Sequence, residues 1–284
     1  MTDVEAIIQL YKIFHNKNWF SYENNAFVFE NFCHLLENLE SHQKDLIIEL
    51  AEKYKWITFK DYTSLLINAF NQVEEIKLRD IQRIILFPLH NPEDENATKS
   101  GNSVLYTIKG VDMISQLRHT IPKYNKIFFQ SIESYTDLYK SSLNFNGHEL
   151  IFLIDDFLGS GETLHATLFE IRKDKFINFN SLNILSVAAQ YEAIDYALDN
   201  GLSIYTDCID GKGISDNYDQ QQAANKLDIM EQIEELIPQN KCKFGYNQSE
   251  ALITLIRTPN NTFPIFWKKY KKNQIEYTPP FPRE

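Results

Sequence analysis

The chain has 284 residues, of which 43% are hydrophobic and 24% are charged, and its formal net charge at pH 7 is −11. This composition is typical of a folded globular protein and excludes an intrinsically disordered chain. The acidic balance disfavours broad electrostatic binding of nucleic acid, which requires a basic face.

Targeting signals and cysteine spacing indicate the compartment. No apolar run approaches the roughly 18 residues that a membrane-spanning helix needs. The first residues, MTDVEAIIQL, lack the basic and apolar regions of a secretory signal. The three cysteines lie far apart, at Cys33, Cys208 and Cys242, which argues against a disulfide framework and a structural zinc site. We therefore expect a cytoplasmic protein that does not enter a membrane.

Residues 1–80 have the apolar spacing of helices. Val4, Ile7, Ile8 and Tyr11 fall on one helical face, and three later stretches repeat the pattern. No recognisable reaction centre lies in this region. We expect a helical N-terminal subdomain that packs on the rest of the chain and offers a candidate surface for a protein partner.

Residues 81–240 have a different pattern, in which short apolar runs of strand length alternate with helical stretches. The predicted strands cover residues 84–89, 126–129, 150–154, 182–188 and 202–205. Strands that are apolar on both faces and alternate with helices indicate a parallel sheet covered on both sides. The predicted fold class is therefore α/β, with a Rossmann-like, mainly parallel sheet.

Residues 241–284 form a predicted C-terminal tail. Residues 258–264, TPNNTFP, break any regular element, and residues 265–267 are predicted to form a short return strand. The segment WKKYKK follows, and its four lysines are Lys268, Lys269, Lys271 and Lys272. A solvated tail is the simplest interpretation of these lysines, and contact with a phosphate-bearing partner such as nucleic acid is the alternative.

The segment IFLIDDFLGSGETL, residues 151–164, has the pattern of a ligand site. It runs from a buried strand through Asp155-Asp156 and a glycine turn into a helix that is predicted to start near Thr163. Backbone amides at such a helix N-terminus bind anions, and the hydroxyls of Ser160 and Thr163 add donors. The adjacent acids would repel the phosphate itself, so they suit sugar hydroxyls, Mg²⁺ or a developing cation. A polar turn with an N-cap is the simpler alternative.

This segment resembles the ribose-phosphate signature of the type I phosphoribosyltransferases. The resemblance implies that Asp155 and Asp156 bind the ribose hydroxyls of phosphoribosyl diphosphate (PRPP) and hold Mg²⁺. It also implies that Gly159, Ser160, Gly161, Glu162 and Thr163 form the phosphate loop. The tail GYNQSEALITLIRTPNNTFPIFW is similar to phosphoribosyltransferase-like proteins of bacterial conflict and antiphage systems. In that family such a tail forms a hood over the acceptor.

Two positions depart from the family pattern. Gly159 stands where purine-salvage members carry an acid that acts as general base, so purine salvage is not expected. Glu162 puts a carboxylate in the phosphate loop, which weakens the site unless that side chain faces water.

Two further sets of residues are implied by the resemblance. Lys99-Ser100-Gly101 is the candidate diphosphate loop, because it follows the first strand of the sheet and precedes a helical stretch; an ordinary surface loop is the alternative. Candidate acceptor residues in the tail comprise Asn260, Asn261, Phe263 and Trp267. Those asparagines and aromatics alternatively form only a turn and part of the core.

Three functional hypotheses follow. The first is a phosphoribosyltransferase-like protein that binds PRPP or a related ribose phosphate with Mg²⁺ and transfers the phosphoribosyl group in a defence system. The second is a regulatory subunit that senses PRPP or a nucleotide without turnover. The third is an interaction subunit that acts through the N-terminal helices. The sequence leaves open whether the protein is an enzyme.

Overall fold

The computed structural model describes residues 1–94, 100–110 and 113–283 of the chain. The chain divides into two compact units: unit 1 comprises residues 1–59 and 210–284, and unit 2 comprises residues 60–209. These boundaries differ from those expected at residues 80 and 240, because residues 60–80 belong to unit 2 and residues 210–240 belong to unit 1. Unit 1 therefore combines residues from both ends of the sequence.

The regular elements of the described residues are numbered in chain order. The helices are α1 (Asp3–Asn16), α2 (Asn25–Glu37), α3 (Ser41–Lys53), α4 (Phe59–Asn71), α5 (Glu75–Leu78), α6 (Ser100–Gly110), α7 (Met113–Thr120), α8 (Tyr135–Ser142), α9 (Glu162–Ile171), α10 (Tyr191–Asp199) and α11 (Gln220–Glu234). The strands are β1 (Lys55–Trp56), β2 (Arg83–Pro88), β3 (Phe128–Ser131), β4 (Glu149–Leu158), β5 (Leu182–Gln190), β6 (Ser203–Asp210), β7 (Ile253–Thr254), β8 (Tyr270–Lys272) and β9 (Ile275–Tyr277).

Unit 2 is built on a five-stranded sheet with the strand order β3-β2-β4-β5-β6. Strand β2 pairs in parallel with β3 and β4, and β4 pairs in parallel with β5. All ten residues of β4 and all nine of β5 are buried, as expected for central strands that are covered on both faces. The predicted α/β class with a mainly parallel sheet is confirmed.

Helices cover both faces of this sheet. Residues of α8, α9 and α10 pack with Ile85, Ile151 and Leu153 in one core cluster. On the opposite face, Phe70 of α4 packs against Phe152, with ring centroids 5.7 Å apart. Because helices cover both faces of the sheet, β4 has apolar side chains on each of its two faces.

The strand order reverses beside β2. Strand β3 lies on one side of β2, and the next strand in the chain, β4, lies on the other side. In open α/β sheets such a switch point opens a crevice at the carboxyl ends of the two strands, where ligands bind. The crevice of this sheet lies at the ends of β2 and β4.

The buried face of α1 is not the apolar face that contains Val4, Ile8 and Tyr11. The buried residues are Ala6, Leu10, Ile13 and Phe14, whereas Val4, Ile8 and Tyr11 are exposed. The helix carries two apolar stripes, and periodicity alone does not rank them. Packing selects the stripe with Phe14, whose ring meets other buried rings such as Trp19, 5.0 Å away. The predicted helix therefore forms, but the apolar face of Val4, Ile8 and Tyr11 is not the one that packs into the core.

The C-terminal part of unit 1 also corrects one prediction. Residues 265–267 do not form a return strand, because Pro264–Phe266 is a single 3₁₀ turn. Proline fixes its own φ near the helical value and is favoured at the first position of a helical turn. The strands that do form here are short: β7 pairs in parallel with β1, and β8 and β9 form an antiparallel hairpin.

Within the described part of the chain, no helix is long and apolar enough to cross a membrane.

Candidate functional site at the carboxyl end of the central sheet

The acid pair lies inside β4 and not after it. The prediction placed the end of this strand at Ile154, but the ladder with β5 continues to the pair Leu158 and Ala189. Asp155 and Asp156 are therefore consecutive strand residues, and their side chains leave opposite faces of the sheet. Both are buried, with 5% and 6% of their surface exposed.

Asp156 contacts the helices on one face of the sheet. Its Oδ2 accepts long hydrogen bonds from the hydroxyls of Tyr62 and Ser103, each 3.4 Å away. Burial raises the pKa of Asp156 to about 6, and the hydrogen bonds from Tyr62 and Ser103 oppose that shift. Desolvation therefore makes the charged form of this carboxyl group costly.

Asp155 lies next to a buried serine on the other face. Its Oδ1 accepts the backbone N–H of Asp156 at 2.9 Å, and it is in register with Ser186 of β5. The Oγ of Ser186 is buried and has no hydrogen-bond partner among the described residues. A polar spot formed by Asp155 and Ser186 therefore interrupts the apolar β4–β5 core.

The turn after β4 leads directly into α9. Gly161 occupies the N-cap with φ of 76°, and α9 begins at Glu162, one residue before the predicted start. Glycine has no side chain that could accept from the first-turn amides, and an anion is a suitable acceptor at such a helix N-terminus. Ser160 and Thr163 are half-buried, and Glu162 is exposed. The structure thus shows a glycine turn at the start of α9, and the binding of a phosphate by this loop stays a prediction.

The N-terminus of α6 lies at the same end of the sheet. A Cβ on Gly101 would lie 2.5 Å from the carbonyl oxygen of Ile154, 3.0 Å from Cβ of Pro88 and 3.2 Å from the amide nitrogen of Leu89. Glycine therefore lets α6 start against the ends of β2 and β4, at the switch point. Of the candidate diphosphate loop, Gly101 is placed at the crevice and Ser100 begins α6, whereas Lys99 lies outside the described residues.

Sequence reasoning missed three polar residues around the acid pair. Ser186 is a polar residue within an apolar strand, and Ser103 follows Gly101 of the candidate diphosphate loop. Both positions could therefore have been recognised in the sequence as candidate site residues. Tyr62 carried none, because it has the spacing of a core residue of α4. Its contact with Asp156 depends on the tertiary structure.

The predicted acceptor residues all belong to unit 1. Phe263 is fully buried and packs edge-on against Phe244. Asn261 is 8% exposed, and its Nδ2 donates to Ser249 Oγ at 3.0 Å. The indole N–H of Trp267 donates to the carbonyl of Thr262 at 2.7 Å. Asn260 is half-buried. Phe263 is thus a core residue, whereas Asn260 and Trp267 retain some surface.

Three of the four lysines of the tail have local partners. Lys269 and Lys271 lie 3.0 and 3.9 Å from the carboxylate of Glu276, and Lys268 donates to Asn240 at 3.2 Å. The contacts with Glu276 offset part of the positive charge of this segment. Contact of the four lysines with a phosphate-bearing partner stays a prediction.

The metal-binding capacity of the described residues is limited. They contain no group of three or more His, Cys, Asp or Glu side chains that could hold a metal ion. Mg²⁺ is usually held by one or two carboxylates together with substrate phosphates. Asp155 and Asp156 leave opposite faces of β4, so the structure does not bring them together as a carboxylate pair for one ion, and the binding of Mg²⁺ stays a prediction.

Comparison with known proteins agrees with this geometry. No curated protein matches the sequence. A family model described as PRTase-CE matches residues 18–283, which is nearly the whole chain. The match includes both units and the complete segment from β4 to α9. The chain therefore belongs to the PRTase-CE family, a phosphoribosyltransferase-type family.

Proposed function

We propose that this protein is a cytoplasmic phosphoribosyltransferase-like protein that binds PRPP or a related ribose phosphate together with Mg²⁺. We further propose that it transfers the phosphoribosyl group to an acceptor in a bacterial antiphage or conflict system. One observation carries the proposal: the buried acid pair of β4 and the glycine turn of α9 are joined in one segment at the carboxyl end of the sheet.

The phosphate of the ligand is assigned to the start of α9. Backbone amides of residues 160–163 and the hydroxyls of Ser160 and Thr163 would bind its oxygens. The exposed side chain of Glu162 is able to face water, so the loop can still accept an anion. The ribose would then lie at the end of β4. Because Asp155 and Asp156 leave opposite faces of this strand, both would accept hydrogen bonds from its hydroxyls only after one carboxylate turns on binding.

In the proposed reaction, the bond from the ribose anomeric carbon to the diphosphate breaks, and a bond from the acceptor forms. Positive charge develops on the ribose ring as the diphosphate leaves. The buried carboxylates stabilise that charge strongly, because their surroundings have low polarity. Asp155 and Asp156 would help to hold Mg²⁺, which would offset negative charge on the leaving diphosphate.

The decisive experiment compares Asp155→Asn and Asp156→Asn with a matched control, Asp195→Asn, on the exposed face of α10. Diphosphate release from PRPP with Mg²⁺ and PRPP binding by calorimetry are measured for each variant. We expect both activities to be lost in the first two variants and kept in the control. Full activity in both β4 variants would refute the assignment.

A second candidate function is PRPP or nucleotide sensing without turnover. Gly159 and Glu162 favour it, because Gly159 replaces the acid that acts as general base in purine-salvage members and Glu162 puts a carboxylate in the phosphate loop. In this case calorimetry gives PRPP binding, while no diphosphate appears even at long reaction times. The same two measurements therefore separate the sensor from the transferase.

The N-terminal helices support a third candidate function, the binding of a protein partner. Val4, Ile8 and Tyr11 are 68%, 51% and 55% exposed, and Phe20 lies 5.1 Å from the Tyr11 ring. Such a contiguous apolar surface is often an interaction site. Tyr11→Ser together with Ile8→Asn should abolish capture of a partner without loss of folding, whereas unchanged capture would exclude this surface.

A further inference from the structure

A cavity of unit 2 lies at the opposite end of the sheet from the acid pair. Helix α7 and the turn that follows it line this open cavity of about 570 Å³, a volume within the usual range for small-molecule sites. The lining residues are Ile114, Ser115, Arg118, His119, Pro122 and Asn125. Asn125 comes shortly before β3, and β3 starts at Phe128. The cavity is therefore at the amino-terminal end of the strands.

The guanidinium group of Arg118 is fixed but incompletely bonded. Its Nη2 donates to the carbonyl oxygen of Ile127 at 2.8 Å. Its Nε is buried and has no hydrogen-bond partner within the described part of the chain. A guanidinium has five N–H donors. Because Nε has almost no accessible surface, a ligand in the cavity would bond the other donors of the Arg118 guanidinium and would thereby change the surroundings of Nε.

The charge of the cavity contrasts with that of the whole chain. The sequence has 39 Asp and Glu residues against 28 Lys and Arg. The described residues that line the cavity nevertheless include an arginine, a histidine, a serine and an asparagine, and no carboxylate. This set donates hydrogen bonds and attracts negative charge, so it selects an anion against a cation.

The shape of the cavity adds an apolar element. Ile114 and Pro122 contribute hydrophobic wall beside the polar groups. The planar fork of an arginine matches the oxygens of a phosphate or a carboxylate. A ligand with an oxyanion next to a ring or a short alkyl group would satisfy both kinds of wall.

We propose that this cavity is a second ligand site, which binds a small molecule with a phosphate or carboxylate group through Arg118. It is separate from the phosphate loop of α9 and does not depend on the proposed transferase or sensor function. Ser115 and Asn125 supply further hydrogen bonds, and His119 lines the same cavity.

The Nε–H resonance of Arg118 provides a direct test. The chain has six arginines, so their Nε–H signals can be assigned by nuclear magnetic resonance with single variants of the full-length protein. Phenyl phosphate and benzoate are titrated separately, which distinguishes the two oxyanions. We expect one of them to shift the Arg118 signal along a saturable curve. A linear or absent response to both would overturn the proposal.

Variants test whether Arg118 is the anchor. Arg118→Gln should weaken the binding of the responsive probe at least tenfold, and Arg118→Lys should give an intermediate loss, because lysine keeps the charge without the fork. The matched control is Arg172→Gln, since Arg172 already bonds to Asn200 and stacks on Phe179. Equal losses in the Arg172 and Arg118 variants would refute the site. If Arg118→Gln does not fold, the lysine variant and the wild-type titration decide.

Discussion

Gly101 provides the sharpest test of how the candidate crevice is built. A methyl group at this position would lie 2.5 Å from the carbonyl oxygen of Ile154, which is a backbone atom of β4. No side-chain rotation relieves such a contact, so Gly101→Ala must push the start of α6 away from the sheet. Ser103, whose hydroxyl contacts Asp156, belongs to the same helical turn and would move with it.

The expected size of the effect comes from two opposing terms. Overpacking of a close contact typically costs about 1–3 kcal/mol. Replacing glycine by alanine within a helix gains up to about 1 kcal/mol. Gly110, the last residue of the same helix, is the matched control, because a Cβ there would meet no atom of the described residues within 4 Å. We expect Gly110→Ala to leave the free energy of unfolding unchanged or slightly higher, and Gly101→Ala to lower it by about 1–2 kcal/mol.

Urea unfolding followed by far-ultraviolet circular dichroism measures this difference. The three tryptophans, Trp19, Trp56 and Trp267, all belong to unit 1, so their fluorescence reports that unit separately. A Gly101→Ala protein as stable as Gly110→Ala would refute the close approach of α6 to β4. It would also mean that α6 does not start at the crevice.

Three further predictions concern other parts of the molecule. Gly161→Ala and Gly201→Ala should each cost about 1–2 kcal/mol of stability, since φ is 76° and 74° at these glycines. Only Gly161→Ala should also weaken phosphate binding in calorimetry. Equal phosphate affinities of the two variants would contradict the assignment of the phosphate loop. Burial raises the pKa of Glu234 to about 7, so its stabilising contribution, complete below pH 4.5, is lost as the pH rises through 7. Relative to wild type, Glu234→Gln should therefore gain up to about 3 kcal/mol in unfolding free energy between pH 4.5 and 8, and a pH-independent difference would refute this. Phe263→Ala should cost about 3–5 kcal/mol in urea unfolding, whereas a loss below 1 kcal/mol would mean that the ring is not in the core.

The sequence alone determined the fold class and the position of the candidate site. Apolar runs that are buried on both faces predicted the central strands, because a parallel sheet covered by helices has no polar face. The glycine turn before α9 was equally predictable, since a glycine turn between a strand and a helix has few structural alternatives. Both features depend on contiguous residues, and local sequence encodes them directly.

Tertiary structure decided which of several compatible surfaces became buried. α1 has two apolar stripes, and only its packing against other helices selected the one with Leu10 and Phe14. β4 extends beyond Ile154 because β5 supplies hydrogen-bond partners as far as Ala189. Pairing between distant strands cannot be inferred from the periodicity of one of them.

The surroundings of the acid pair were likewise set by the fold. The sequence shows two adjacent acids, but successive strand residues face opposite ways, so each acid acquires its own neighbours. Tyr62 lies far from Asp156 in sequence, and the two meet only because α4 covers that face of the sheet. Adjacency in sequence thus determined that there is an acid pair, and the sheet determined what each acid contacts.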